Sequence, residues 1–164
     1  MLRVGVVSDT HAPRFWKRMP TRIAEHLAEV DVVLHAGDVC EPVVLDELAA
    51  LAPVHVVAGN NDGAGVRAWG ATEELSLSLA GLRVSMLHDS GPAKGRLLRL
   101  RRRFADADLV VFGHSHIPWD EKQDGFRIFN PGSPTDKRRQ PQGTIGLLRI
   151  EDGRLLDARI VPVT

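Results

Sequence analysis

Residues 2–11 read Leu2-Arg3-Val4-Gly5-Val6-Val7-Ser8-Asp9-Thr10-His11, a strand-like run that ends abruptly in a carboxylate and an imidazole. The pattern returns at Val32–His35, which leads through Ala36 and Gly37 to Asp38, and at Val54–Ala58, which leads through Gly59 to Asn60, Asn61 and Asp62. Short runs rich in β-branched residues are those of buried parallel strands. Two helix candidates lie between them. Thr21 to Val30 follows Pro20 and sets Ile23, Leu27 and Val30 on one face; Pro42 to Leu51 opens on a proline suited to a first helical turn and carries Val44, Leu45 and Leu48 as its stripe. Strand, helix, strand, helix, strand makes two consecutive βαβ units, whose crossovers are expected to be right-handed.

The second half changes period. Leu75, Leu77 and Leu79 alternate with Glu74, Ser76 and Ser78, and Gly81 then leads into Leu82–Leu87, the pattern of an antiparallel pair around a turn. A basic amphipathic helix is predicted at about Ala93 to Phe104, then a buried strand at Leu109–Phe112. Strands at Gly125–Phe129, Thr144–Ile150 and Arg154–Val161 close the chain, the last two joined by the turn residues Glu151, Asp152 and Gly153. Parallel units followed by antiparallel strands predict an α/β fold of two packed mixed β-sheets flanked by helices. At 164 residues the chain has the size of one domain, read here as residues 1–164.

Bulk composition narrows the function classes. Lys plus Arg and Asp plus Glu are 21 each, so no global field attracts nucleic acid or a membrane surface, and any phosphate affinity must be local. No apolar stretch approaches the roughly 18 residues that span a bilayer, so no membrane partner is expected. The run from Leu2 follows no basic segment with a long apolar stretch behind it, so a secretory signal is not expected. Cys40 is the only cysteine and cannot form an internal disulfide, which fits a reducing compartment. A cytoplasmic location is the expectation, and a homo-oligomer remains open.

The polar residues at the strand ends carry the chemistry. Besides Asp9, His11, Asp38 and Asn60, Leu87 leads to His88 and Phe112 leads through Gly113 to His114, Ser115 and His116. In open α/β sheets the carboxyl ends of parallel strands share the edge where ligands bind, so these segments can deliver their side chains to one place. Imidazole, carboxylate and amide oxygen form a mixed N/O set suited to Mn, Fe, Zn, Co or Ni and unlike a thiolate site. Gly37, Gly59 and Gly113 stand at the turns. Seven donors are too many for one tetrahedral ion and about right for two ions sharing a carboxylate. Two metals roughly 3.5–4 Å apart are the standard device for in-line displacement at phosphorus, with a bridging hydroxide as nucleophile.

The blocks Asp9-Thr10-His11, Gly37-Asp38, Gly59-Asn60-Asn61-Asp62, His88 and Gly113-His114-Ser115-His116 resemble, in order and spacing, the calcineurin-like metallophosphoesterase family. The short length and Asn130-Pro131-Gly132-Ser133 after the last His pair resemble its small bacterial and archaeal phosphodiesterase branch, over residues 1 to about 135. The resemblance implies a metal-dependent phosphodiesterase with two divalent metal ions, Mn first and Fe, Zn or Ni as alternatives. Asp9, His11, Asp38 and His116 would hold the first metal, with Asp38 bridging; Asn60, His88 and His114 would complete the second. Many members carry His where this chain has Asn61. Asn cannot act as a general acid near pH 7, but it can donate a hydrogen bond to a phosphate oxygen, so Asn61 is the catalytic candidate. The Gly usual after the second-metal His is Asp89 here, an extra carboxylate near the site.

Bland readings stand beside these. His35 within its apolar strand reads as a core histidine or a support behind the ligands rather than a ligand, and His26 and His55 as structural. Arg96, Arg99, Arg101, Arg102 and Arg103 read as a solvated helix face rather than a polyanion site, so nucleic acid is not an expected partner. Trp69 and Trp119 would cover the site, line a leaving-group pocket or bury against a second subunit. No Arg or Lys lies inside the ligand blocks, and Arg14, Lys17 and Arg18 are loop neighbours of His11; this favours a phosphodiester substrate over the more charged monoester. The alternative from another class is a non-catalytic protein-binding scaffold, because the same branch resembles the retromer sorting subunit. That lineage lacks key ligands, whereas this chain keeps all seven.

Overall fold

The computed structural model describes Met1–Thr164. The first sheet is built from β1 (Leu2–Val7), β2 (Val32–His35), β3 (Val54–Val56), β9 (Thr144–Glu151) and β10 (Arg154–Pro162), in the order β10-β9-β1-β2-β3. Its β1, β2 and β3 run parallel, while β9 joins β1 and β10 joins β9 antiparallel. The second contains β4 (Glu74–Leu79), β5 (Leu82–Leu87), β6 (Leu109–Val111), β7 (Trp119–Gln123) and β8 (Phe126–Asn130), in the order β4-β5-β6-β8-β7. Here β5, β6 and β8 are parallel, with β4 and β7 antiparallel at the two edges. Helices α1 (Thr21–Leu27) and α2 (Val43–Ala49) cover the first sheet and α4 (Arg96–Arg103) the second; α3 (Ala64–Trp69) follows β3. No helix is long and apolar enough to cross a membrane.

Alternation along the strands makes the layers. In β2, Val32 and Leu34 point into the apolar layer between the sheets, where they meet Met86, Leu109, Val111 and Phe129, while Val33 points outward onto Ile23, Leu27, Leu45 and Leu48. Fully burying one such side chain is worth roughly 1.5–3 kcal/mol. Turns fix the register of the hairpins. Ala80-Gly81, Asp124-Gly125 and Asp152-Gly153 all have positive φ and join directly paired strand ends, the two-residue connection that matches strand twist.

Several sequence expectations shift. The first helix ends at Leu27 rather than Val30, because Asp31 bonds Arg3 through both its backbone N–H and its side chain and draws the chain into β2. Short α3 and the charged edge strand β7 have no counterpart in the sequence reading. Of the α4 arginines, Arg102 and Arg103 are exposed as expected, but Arg96, Arg99 and Arg101 are not a solvated face. Arg96 is buried with its guanidinium between the rings of Phe112 and Trp119, at 5.0 and 4.8 Å from their centroids. Arg99 donates to the carbonyls of Ser90, Pro92 and Lys94, and Arg101 to those of Gln123 and Asp124. Trp119 therefore packs under Arg96, and Trp69 donates from Nε1 to Asp46, so neither ring lines the strand-end cleft.

Candidate metal centre

Every polar strand end named above meets at one edge. The loops after β1, β2 and β3 bring Asp9, His11, Asp38 and Asn60 from the first sheet, and those after β5 and β6 bring His88, His114 and His116 from the second. Side-chain donors converge in two groups, Asp9 with His11 and His116, and Asp38 with His88 and His114. In the first, His11 Nε2 and His116 Nε2 lie 3.2 Å apart, and Asp9 Oδ1 is 3.8 and 3.4 Å from them. Bonds of about 2.1 Å at tetrahedral angles place neighbouring donors about 3.4 Å apart, so these spacings are those of ligands around one ion. In the second, His88 Nε2 is 3.3 Å from Asp38 Oδ2, and Asn60 Oδ1 is 3.1 Å from His114 Nδ1. The carboxylates join the groups: Asp38 Oδ2 is also 3.5 Å from His11 Nε2, and Asp9 Oδ1 is 3.7 Å from His88 Nε2.

Neighbours fix which atoms face inward. Asp9 Oδ2 accepts from the Ser8 hydroxyl and the His114 backbone N–H, leaving Oδ1 buried with no partner. His88 Nδ1 donates to the Ala36 carbonyl at 2.7 Å, so its buried and equally unpartnered Nε2 carries the lone pair. His116 Nδ1 likewise donates to the Asp136 carbonyl. Orienting an imidazole through its far nitrogen is the usual support of a metal-binding histidine. A buried carboxylate oxygen and a buried imidazole nitrogen without partners are costly, and a divalent cation satisfies both.

The ionisation states follow. Asp9, then Cys40 and Asp38, raise His11 against its burial to about 10, so without a cation a proton on this ring offsets the carboxylates. Burial opposes the charge on Asp38, but the nearby His88 ring and then the hydrogen bonds from Asn61 hold it well below the usual carboxylate range. Burial lowers His116, which favours the neutral imidazole that binds metal. His35 is a core residue, as expected: its Nδ1 accepts from Gly37 N–H, Nε2 meets the Thr10 hydroxyl, and desolvation lowers its pKa to about 3.

Asp9, His11, Asp38, His114 and His116 all have positive φ, an uncommon conformation for non-glycine residues that turns their side chains inward. The glycines serve different needs. Gly37 has φ 100°, whereas Gly59 and Gly113 are required by close approach: a Cβ would be driven into Asp38 at the first and would lie 2.8 Å from Asp9 Oδ2 at the second.

Asn61 points elsewhere than its expected role requires. Its side-chain amide and backbone N–H donate to the two oxygens of Asp38, each at 2.9 Å, so contact with a phosphate would require that amide to leave the carboxylate. Sequence reasoning gave Asp62 no role. Its oxygens accept from the backbone N–H groups of Asp38, Gly59 and Cys40, tying the β2 and β3 loops together. Nothing in a single sequence marks such an acceptor beyond its place two residues after Asn60. The Asn130–Ser133 turn borders the centre, with Asn130 donating to the Gly113 carbonyl and Ser133 to that of Asp9. Asp89 is exposed, 3.8 Å from His114 Nε2.

Two packed α/β sheets whose strand ends converge on a shared N/O donor set define a metallophosphoesterase-type domain. Residues 2–153 match the calcineurin-like phosphoesterase superfamily domain, and the chain belongs to that family. A probable metallophosphoesterase of Methanothermobacter thermautotrophicus is 35% identical over 162 residues, covering 96% of this chain and 91% of that protein. Among solved structures, wild-type Vps29 of Entamoeba histolytica complexed with zinc is 25% identical with a TM-score of 0.79, covering 99% of this chain and 100% of that one. An archaeal phosphodiesterase is 25% identical with a TM-score of 0.76, covering 98% and 99%.

Proposed function

We propose that this protein is a single-domain, binuclear metal-dependent phosphoesterase acting on phosphodiesters. The observation that carries the reading is the pair of buried, unpartnered donors, Asp9 Oδ1 and His88 Nε2, each aimed into one of two adjoining donor groups. Asp9, His11 and His116 would hold one divalent cation and His88, His114 and Asn60 the other, with Asp38 between them; Mn, Fe, Zn or Ni suits these donors. Two such cations supply Lewis acidity, which acidifies a water and neutralises charge on the attacked and leaving oxygens. The chain's own residues do the positioning. Asn61 and Asp62 fix the Asp38 carboxylate and its loop, Ala36 and Asp136 orient the His88 and His116 rings, and Ser8 with His114 N–H turns Asp9 so that Oδ1 faces the centre. A diester is favoured by the likeness to an archaeal phosphodiesterase.

The test is metal-stripped protein given Mn, Ni or Zn singly, with bound metal counted per chain and hydrolysis of bis(p-nitrophenyl) phosphate followed. The expected result is two equivalents of metal and turnover that His116→Ala lacks. Metal bound at two equivalents without turnover on this ester or on p-nitrophenyl phosphate would refute the activity. Absence of metal binding would put the protein-binding scaffold in its place.

A further inference from the structure

Two clefts of opposite character adjoin the metal centre. One, of about 270 Å³, lies against Asn60, His88 and Asp89 and is lined by Asp62, Glu73 and Glu74. Its two cations are already engaged, Arg67 by Glu73 and Arg103 by Glu74. The other, of about 480 Å³, opens beside His11 and Asn61 and is lined by Arg14, Phe15, Asp136 and Arg138. Here Phe15 is 38% exposed, with the Arg14 guanidinium 5.1 Å from its ring centroid, so ring and charge form one platform.

We infer that this second cleft is a substrate subsite for a nucleotide-type ester: a base stacks on the Phe15–Arg14 platform and a further negative group lies between Arg14 and Arg138, while the phosphate to be cleaved occupies the metal centre. The inference rests on the phosphoesterase reading above. Base recognition on aromatic rings and arginine planes is general and tolerates different bases. The platform is placed by the metal loops themselves. Phe15 N–H donates to the His11 carbonyl, so Arg14 and Phe15 leave the ligand His11 in a turn. Arg138 sits on a segment stitched to the β1 loop, where Ser133 and Thr135 donate to the carbonyls of Asp9 and Thr10 and the Asp136 carbonyl receives His116 Nδ1. An anionic substituent on the scissile phosphate is repelled by the Asp89 side and attracted to the Arg138 side, which sets the direction in which an ester lies.

Calorimetric titration of the Mn-loaded protein, free of excess metal, with inorganic phosphate, AMP and ADP tests this without turnover. Stacking of one base predicts AMP binding at least about tenfold more tightly than phosphate. The second phosphate, meeting exposed arginines, predicts a further gain of roughly threefold for ADP. Phe15→Leu is expected to collapse the AMP-to-phosphate ratio, and Arg138→Gln the ADP-to-AMP ratio. Binding of phosphate with no added affinity for AMP, or a ratio unmoved by Phe15→Leu, overturns the subsite and leaves the phosphoesterase reading intact. Binding of none of the three overturns both.

Discussion

Replacing Gly59 with Ala probes the metal centre through the backbone, without replacing any candidate ligand. A Cβ at this position would be forced into the Asp38 carboxylate oxygen and backbone nitrogen, and would lie 2.9 Å from Asp38 Cγ. Neither atom yields freely, because Asp38 N–H is held by Asp62 and Asp38 Oδ1 by Asn61 N–H, each at 2.9 Å. Overpacking of this kind costs about 1–3 kcal/mol, and a lost hydrogen bond adds about 1 kcal/mol. At roughly 2–4 °C per kcal/mol for a chain of this size, the metal-free melting temperature should fall by about 4–16 °C. Displacing Asp38 should also weaken metal by a factor on the order of 10–100. At a metal concentration 100-fold above the wild-type Kd, binding contributes about 2.7 kcal/mol, and a site weakened 100-fold keeps only about 0.4 kcal/mol. Thermal unfolding with and without metal therefore reads both effects in one assay. Gly63→Ala is the control, since a built Cβ there meets no heavy atom within 4 Å; as Gly63 is the N-cap of α3 it should cost only about 0.5–1 kcal/mol and leave the gain from metal unchanged. A Gly59→Ala protein that melts within a degree of wild type and gains as much from metal would refute the argument.

Asp62→Asn keeps the shape of the loop clamp but turns one of its acceptors into an NH₂ facing a backbone N–H. We expect a loss of about 1–3 kcal/mol in chemical denaturation, with metal binding weakened although no ligand has changed; unaltered metal affinity would show that the clamp does not position Asp38. For pH, desolvation lowers folded His35 to about 3 against an ordinary 6.5, so the unfolded chain binds a proton that the folded chain does not. Stability from this residue is complete above pH 6.5 and is lost as pH falls from there toward 3. In metal-free protein, His35→Asn retains an acceptor for Gly37 N–H and should flatten the slope of unfolding free energy over that window by about 1.4 kcal/mol per pH unit; parallel slopes would sink the assignment.

The sequence was legible where side chains decide structure. Val4–Val7 and Val32–His35 reveal their strands as unbroken apolar runs because both of their faces are buried, and Leu75, Leu77 and Leu79 reveal theirs by alternation. Strand β7 wrote none, since Trp119–Gln123 is an edge held by backbone pairing with β8, and none of its side chains is fully buried. Helix α3 was silent for a related reason: it contains Gly65 and buries only Val66. The arginines of α4 misled because helical spacing shows which face they share and not that Phe112 and Trp119 wait opposite Arg96. At the centre, the candidate donors and their meeting at one edge were readable from strand ends. Their supports were not, because Asp62 and the carbonyls of Ala36 and Asp136 act across the fold through atoms that every residue, or every carboxylate, possesses.

Those supports explain how five candidate ligands keep a strained backbone. Each positive φ at a non-glycine residue costs on the order of 1–3 kcal/mol and persists only where its surroundings over-determine it. Here the ligand loops determine one another. The N–H groups of Asp9 and His11 bond the carbonyls of Gly37 and Asp38, His114 N–H bonds Asp9 Oδ2, Gly113 N–H bonds the His88 carbonyl, and Ser133 and Thr135 close on Asp9 and Thr10. No ligand loop can relax alone without breaking a bond to the next, so the strain is distributed over a network that forms as the two sheets pack. Donors held in this way lose little freedom when a cation arrives, and binding free energy goes into affinity instead of ordering the loops. The same rigidity makes the centre sensitive to small displacements, and for that reason one added methyl group at Gly59 is a sharper probe of it than the loss of an exposed charge.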